Sequence, residues 1–155
     1  MGVPSTSRPT STAVPADMDS NVVRGIASEL SQDYKEAVKL LTRAIEDEHG
    51  DVIKLALAHR FRGLAYKHLG RRDEALNDFL EVIRIQPNLD LGYYDAGVIY
   101  NLTNRYKEAV DAMTRAINLR QDDHGLARRR SERGNAYFIW VNLNRRRTTS
   151  SPQCE

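Results

Sequence analysis

One twelve-residue segment occurs twice in this chain. Residues 34–45 read YKEAVKLLTRAI and residues 106–117 read YKEAVDAMTRAI, so nine of the twelve positions are identical. Between these two copies, residues 72–83 (RDEALNDFLEVI) keep the same apolar pattern, with Glu74 and Ala75 at the matching places. A sequence that repeats itself at a fixed spacing is typical of a stack of one supersecondary unit, whose copies bury their apolar faces against one another. The chain is therefore expected to fold as a repeat array.

The glycines give the period of the array. Gly25, Gly63, Gly97 and Gly134, called here the marker glycines, follow one another at steps of 38, 34 and 37 residues. A tyrosine stands three residues after each of the last three, and Ser28 takes that place after the first. Each unit is predicted to be a first helix carrying G-x-x-Y, a turn, and a second helix carrying E-A and, after six intervening residues, Ala-Ile or Val-Ile.

This pattern resembles the tetratricopeptide repeat, a helix–turn–helix unit of about 34 residues. The second copy, residues 63–88, includes a turn glycine at Gly70 and a closing Pro87, whereas the third copy has Gln121 where the proline is expected. The first copy lacks the tyrosine and the turn glycine, and the fourth stops after its first helix. The resemblance implies an all-α, right-handed solenoid of about seven helices, with three full repeats and an unpaired C-terminal helix.

The predicted domain organisation has a tail on each side of the repeats. A disordered tail rich in Pro, Ser and Thr is expected at 1–17, and a disordered arginine-rich tail at 145–155. Four extra residues between the first two copies predict a longer first helix in the second unit, from about Val52 to Leu69, capped by Asp51. The repeat domain, 18–144, divides into repeats at about 18–51, 52–89 and 90–123 and a half repeat at 124–144.

The small residues of the pattern predict close helix contacts. Gly63, Gly97 and Gly134 lie within predicted helices, where glycine costs about 1 kcal/mol relative to alanine. That cost indicates sites where a neighbouring helix leaves no room for a Cβ atom. Four large residues are expected to fill the space between units: Tyr66, Phe79, Tyr100 and Met113.

Composition and motifs exclude several functional classes. The net charge of the 155 residues is only +2, and no apolar run approaches the roughly 20 residues of a membrane span. The single cysteine, Cys154, favours a reducing, cytoplasmic location. No nucleotide-binding loop, nucleophile motif or metal-ligand spacing is present, so we expect no catalytic residues, metal or cofactor. The start MGVPST fits a myristoylation pattern, which leaves lipidation of Gly2 open.

The resemblance implies a concave groove lined by the first helices, at positions three before, one after and four after each marker glycine. Such a groove predicts a non-catalytic scaffold or adaptor that binds a peptide segment of a partner protein. The alternative is that these side chains cover one another inside a tight superhelix. Asp95 stands where chaperone-binding relatives place a residue that grips a peptide carboxylate, so a chaperone tail is not expected. The predicted groove residues are Val22, Ile26, Arg60, Leu64, Lys67, Tyr94, Val98, Asn101 and Asn135.

The end of the chain suggests a second contact surface. Residues 120–155 hold eight arginines and four acidic residues, and between the arginine clusters lie Phe138, Trp140 and Val141. Because no second helix is predicted to cover these apolar residues, we expect partner docking or self-association through them. Two alternatives stay open: the chain is an oligomerising fragment of a longer array, or the arginines of the last helix bind RNA.

Overall fold

The computed structural model describes residues 20–47, 51–120 and 125–149, and within these ranges it contains α-helices and no strands. The all-α prediction is confirmed. Each helix packs against the next along the chain, and α1 also contacts α3. The first helices of the units are α1, α3, α5 and α7, and the second helices are α2, α4 and α6. Their bounds are α1 Asn21–Leu30, α2 Tyr34–Asp47, α3 Val52–His68, α4 Arg72–Ile85, α5 Asp90–Leu102, α6 Tyr106–Leu119 and α7 Leu126–Thr149.

The first three marker glycines lie where a second helix crosses the first helix of its unit. A Cβ atom added to Gly63 would stand 2.7 Å from the Phe79 ring, and one added to Gly97 would stand 2.8 Å from Met113. Phe79 and Met113 are fully buried, so neither has free space to move into. The predicted close approach is confirmed at these two glycines. It is wrong at Gly134, where an added Cβ would meet nothing within 4 Å, because no described helix packs on that side of α7.

The three turns within the units use the same backbone device. Gln32, Gly70 and Asn104 each follow their marker glycine by seven residues and have φ values of 65°, 76° and 61°. This left-handed conformation ends a helix and lets the following N–H groups reach its last free carbonyls. In each turn the backbone N–H of the next residue donates to a backbone carbonyl of the first helix. These bonds join Asp33 to Ser28 at 2.9 Å, Arg71 to Tyr66 at 2.9 Å and Arg105 to Tyr100 at 2.8 Å.

We predict that replacing Gln32 by glycine stabilises the protein by about 1 kcal/mol, because a residue with a Cβ atom pays about that much to adopt the left-handed conformation. Thermal unfolding followed by circular dichroism would measure the gain. Ser31→Gly is the matched control, because Ser31 has φ −82° and gains nothing from glycine. An equal or larger stabilisation by Ser31→Gly would contradict the turn assignment.

The helix bounds agree with the sequence prediction for α3 and differ from it for α7. The carboxylate of Asp51 accepts hydrogen bonds from the N–H groups of Ile53 and Lys54 at 3.0 and 3.1 Å, which confirms the predicted cap and the lengthened α3. Helix α7 continues to Thr149 and so includes residues 145–149, which the sequence analysis assigned to a disordered tail. The predicted tail at 1–17, with Gly2, lies outside the described residues, as do Gln121 and Cys154.

Candidate functional site

The predicted groove residues lie on four successive first helices, but they differ in how much surface they offer. Val22 packs in the core with Ala37 and Leu41 and is only 6% exposed, so little of it is available to a ligand. Asn135, on α7, is exposed. The remaining seven are half-buried: Ile26 on α1, Arg60, Leu64 and Lys67 on α3, and Tyr94, Val98 and Asn101 on α5.

An ion pair joins α3 to α5 in this row. Arg60 donates from Nε to Oδ2 of Asp95 at 2.7 Å, and the Asp95 side chain is only 7% exposed. Burial raises the pKa of the Asp95 carboxyl, and the nearby charges of Arg60 and Lys67 oppose that rise. Asp95, the acidic residue that argued against a carboxylate ligand, is thus neutralised within the protein. The guanidinium of Arg60 is engaged in that ion pair.

A second polar contact joins α5 to α7. The Tyr94 hydroxyl donates to Oε1 of Glu132 at 3.3 Å, and the Arg129 guanidinium carbon lies 4.7 Å from the centre of the Tyr94 ring. Burial, followed by the charge of Glu132, raises the pKa of Tyr94. Arg129 is itself buried and forms an ion pair with Asp90 at the start of α5. The two contacts hold Tyr94 against the neighbouring helix.

Some of the predicted groove residues therefore contact neighbouring helices. Arg60 and Tyr94 bind acidic residues on the next first helix, as the alternative of mutual cover anticipated. Ile26 and Leu64 pack against the core clusters and, like Val98, are half-buried, so each leaves part of its apolar surface accessible. The carbonyl oxygen of the Asn101 side chain is buried and has no hydrogen-bond partner within the described ranges.

The sequence analysis missed one further row of apolar residues. Leu30 and Leu102 follow Ile26 and Val98 by four residues, which places each pair on one face of its helix. They are 72% and 47% exposed, unusually high for leucine side chains. Ile139 has the same position on α7 and is 38% exposed. The signal was present in the spacing, five residues after a marker glycine.

The apolar residues of α7 are not equally exposed. Phe138 is 68% exposed, whereas Trp140 and Val141 are half-buried. Trp140 lines a cavity of about 280 Å³ between α6 and α7, together with Tyr106 and Leu143. Part of the predicted docking surface is therefore engaged with the protein itself.

The arginines of α7 do not form one exposed basic patch. Arg128 pairs with Glu132 at 2.9 Å, and Arg129 is buried with Asp90. Arg130 is exposed and Arg133 half-buried, on the side of α7 where Gly134 lies open. The structure thus separates residues that the sequence analysis had grouped as one cluster.

A buried network, not predicted from the sequence, joins α2, α3 and α4. The carboxylate of Asp78, 3% exposed, accepts from Nε and Nη2 of Arg62 at 2.9 and 2.7 Å and lies 2.9 Å from Nδ1 of His59. Nη1 of Arg62 donates to the Thr42 hydroxyl at 3.1 Å. Burial alone would lower the pKa of Arg62, and Asp78 more than offsets this and raises it.

Among the described residues, no group of three or more His, Cys, Asp or Glu side chains is placed to hold a metal ion. None of the helices in that part of the chain is both long enough and apolar enough to span a membrane.

The described residues form seven helices that alternate in this way, with a glycine where the two helices of each complete unit cross, and this arrangement defines a helical repeat protein. Family models described as tetratricopeptide repeat match residues 56–89 and 92–123, which are the second and third units. The chain therefore belongs to the tetratricopeptide repeat family, whose repeats in general serve as protein–protein interaction scaffolds.

Solved structures agree with this fold. The chain is similar to the Sgt2 TPR domain from Aspergillus fumigatus, with a TM-score of 0.71, 18% identity, and coverage of 90% of this chain and 87% of that one. It is also similar to MamA, with a TM-score of 0.65, 17% identity, and coverage of 79% and 70%. A second MamA structure, designated AMB-1, gives 0.57, 22%, 84% and 73%. No curated protein sequence matches the chain.

Proposed function

We propose that the protein is a non-catalytic scaffold or adaptor that binds a peptide segment of a partner in the groove formed by α1, α3 and α5. The observation that carries this proposal is the row of half-buried and exposed apolar side chains at equivalent positions of successive first helices. Ile26, Leu64 and Val98 form the inner part of the row, and Leu30 and Leu102 continue it. Packing within the repeats does not require Leu30 and Leu102 to face solvent.

The chemistry of the row favours a ligand with apolar anchors and few charges. Asp95 and Arg60 neutralise each other, which leaves Lys67 as the cationic member of the predicted groove. The half-buried side chains of Leu64 and Val98 offer apolar surface to such anchors. An extended or helical segment that places an apolar side chain about every turn would satisfy these groups. The lone cysteine supports a cytoplasmic setting for such a scaffold.

The test measures binding of peptides selected from a random-sequence library against the full chain. The variant Lys67→Gln with Leu102→Ser changes groove residues that make no ion pair in the core, and glutamine brings no negative charge near Asp95. We expect it to weaken binding of the selected peptides at least about tenfold, as loss of a buried apolar anchor does. Arg60 and Tyr94 are poor targets because their replacement would also disturb the contacts between helices.

A matched control keeps the same chemistry on the second helices. Lys39 on α2 and Leu80 on α4 are exposed, at 56% and 41%. The variant Lys39→Gln with Leu80→Ser should bind the peptides within about twofold of the unchanged protein. Equal loss of affinity in both double variants would overturn the groove assignment.

A further inference from the structure

Helix α7 carries basic side chains at the two positions with which α3 holds α4. On α3, His59 and Arg62 stand four and one residues before the marker glycine, and both contact Asp78 of α4. On α7, Arg130 and Arg133 stand four and one residues before Gly134. Two arginines thus occupy the positions of the two donors to a buried carboxylate.

The preceding second helix completes the equivalence. Arg62 also donates to Thr42 of α2, and the corresponding residue of α6, in the twice-occurring segment, is Thr114. Thr114 and Arg133 line one open cavity of about 340 Å³, together with Val110, Gly134 and Tyr137. Three members of the network that joins α2, α3 and α4 therefore have counterparts at α6 and α7.

The fourth member, a carboxylate from a following helix, is missing from the described residues. At α3 the following helix supplies Asp78, and its Phe79 lies where an added Cβ of Gly63 would stand 2.7 Å from the ring. At α7 nothing lies within 4 Å of the corresponding position at Gly134. Neither Arg130 nor Arg133 forms an ion pair with a residue in the part of the chain that the structure describes.

We propose that Arg130, Arg133, Gly134 and Tyr137 form an acceptor face that binds an acidic amphipathic helix of a partner protein. The partner helix would follow the pattern of α4. It would place a large apolar side chain against Gly134, a carboxylate one residue earlier beside Arg130 and Arg133, and alanine three residues before that carboxylate, as Phe79, Asp78 and Ala75 do on α4. This α7 acceptor face is a binding surface in addition to the groove.

A second copy of this chain does not fit the acceptor face. Its matching helix, α4, holds Asp78 and Phe79 at 3% and 0% exposure, so they would become available only if its own second unit opened. Two α7 acceptor faces placed against each other would bring Arg130 and Arg133 close to the same residues of the other copy. The positive charges of the two copies would repel each other, and the acceptor face includes no acidic residue to compensate them.

The probe is a labelled synthetic peptide with the sequence of residues 71–87, whose binding to the full chain is measured by fluorescence anisotropy. We expect saturable binding, weakened at least tenfold when the peptide carries Asp78→Asn or Phe79→Ala. A peptide of residues 105–121 is a natural control, because Ala112 stands in place of the carboxylate. It should bind more weakly than the peptide with the α4 sequence.

Substitutions in the protein separate binding from folding. Gly134→Ala adds a Cβ atom that meets nothing in the protein, so its melting temperature should stay unchanged or rise. In the complex the same atom would collide with the peptide phenylalanine, and we expect at least tenfold weaker binding. Arg133→Gln should weaken binding similarly, whereas Arg24→Gln, an exposed arginine on α1, should not.

Three results would overturn the proposal. The first is the absence of binding at millimolar peptide when circular dichroism shows the peptide to be helical. The second is equal affinity of the unchanged protein and the Gly134→Ala variant, because the peptide would then bind elsewhere, for example by displacing α4. The third is a dimer in light scattering that Gly134→Ala abolishes, because a second copy would then occupy the face.

Discussion

Replacing Phe79 by alanine should lower the free energy of unfolding by about 4 kcal/mol, the loss typical of a fully buried phenylalanine. Phe79 has no exposed surface and belongs to a core cluster that includes Ala96 and Ile99 of α5. Its ring also lies against Gly63, where the glycine leaves no side chain that could move into the cavity. Urea unfolding followed by circular dichroism measures the loss.

The neighbouring residue provides the control for this substitution. Leu80 is on the same helix and is 41% exposed, so Leu80→Ala should cost about 1 kcal/mol or less. If the two substitutions cost the same, the second unit is not packed around Phe79 as described. A loss confined to Phe79→Ala would identify the packing around Phe79 as a main source of stability in the stack.

The second large effect is expected for Asp78→Asn, at about 3 kcal/mol. Asparagine keeps the shape of the side chain but removes the charge that Arg62 and His59 contact. The guanidinium of Arg62 would then remain largely buried without its anion, and burial of an unpaired charge is strongly unfavourable. The loss should be measured at neutral pH by the same urea titration.

Glu81→Gln makes the same chemical change on the outer surface of α4. Glu81 pairs with Arg84 at 2.8 Å, with side chains 42% and 70% exposed, so solvent screens the pair. We expect Glu81→Gln to cost no more than about 0.5 kcal/mol. A similar cost for the two substitutions would show that the Asp78 network contributes no more than a surface ion pair.

The sequence predicted the architecture because each residue of the repeat pattern has one dominant packing role. A glycine inside a helix at Gly63 or Gly97 has few explanations other than a crossing helix, and the structure confirms that reading. The cap at Asp51 followed from its position before an apolar helix. These predictions depend on local spacing, which the sequence displays directly.

The Asp78 network could not be predicted in the same way. Nothing in the spacing of Asp78 distinguishes it from the solvated acids Asp73 and Glu81, because the difference arises from the way α4 packs on α3. The pairing of Arg60 with Asp95 likewise depends on the distance between successive first helices. Gly134 is the opposite case. Its local pattern predicted a crossing helix, but no helix among the described residues packs there.

The groove is the central claim of this account, and nuclear magnetic resonance would test it most directly. Amide shifts of the labelled protein would be followed during titration with one library-selected peptide. The account predicts that the largest changes fall on the first helices, around Leu64, Lys67, Val98 and Leu102. Changes confined to α2, α4 and α6 would contradict it.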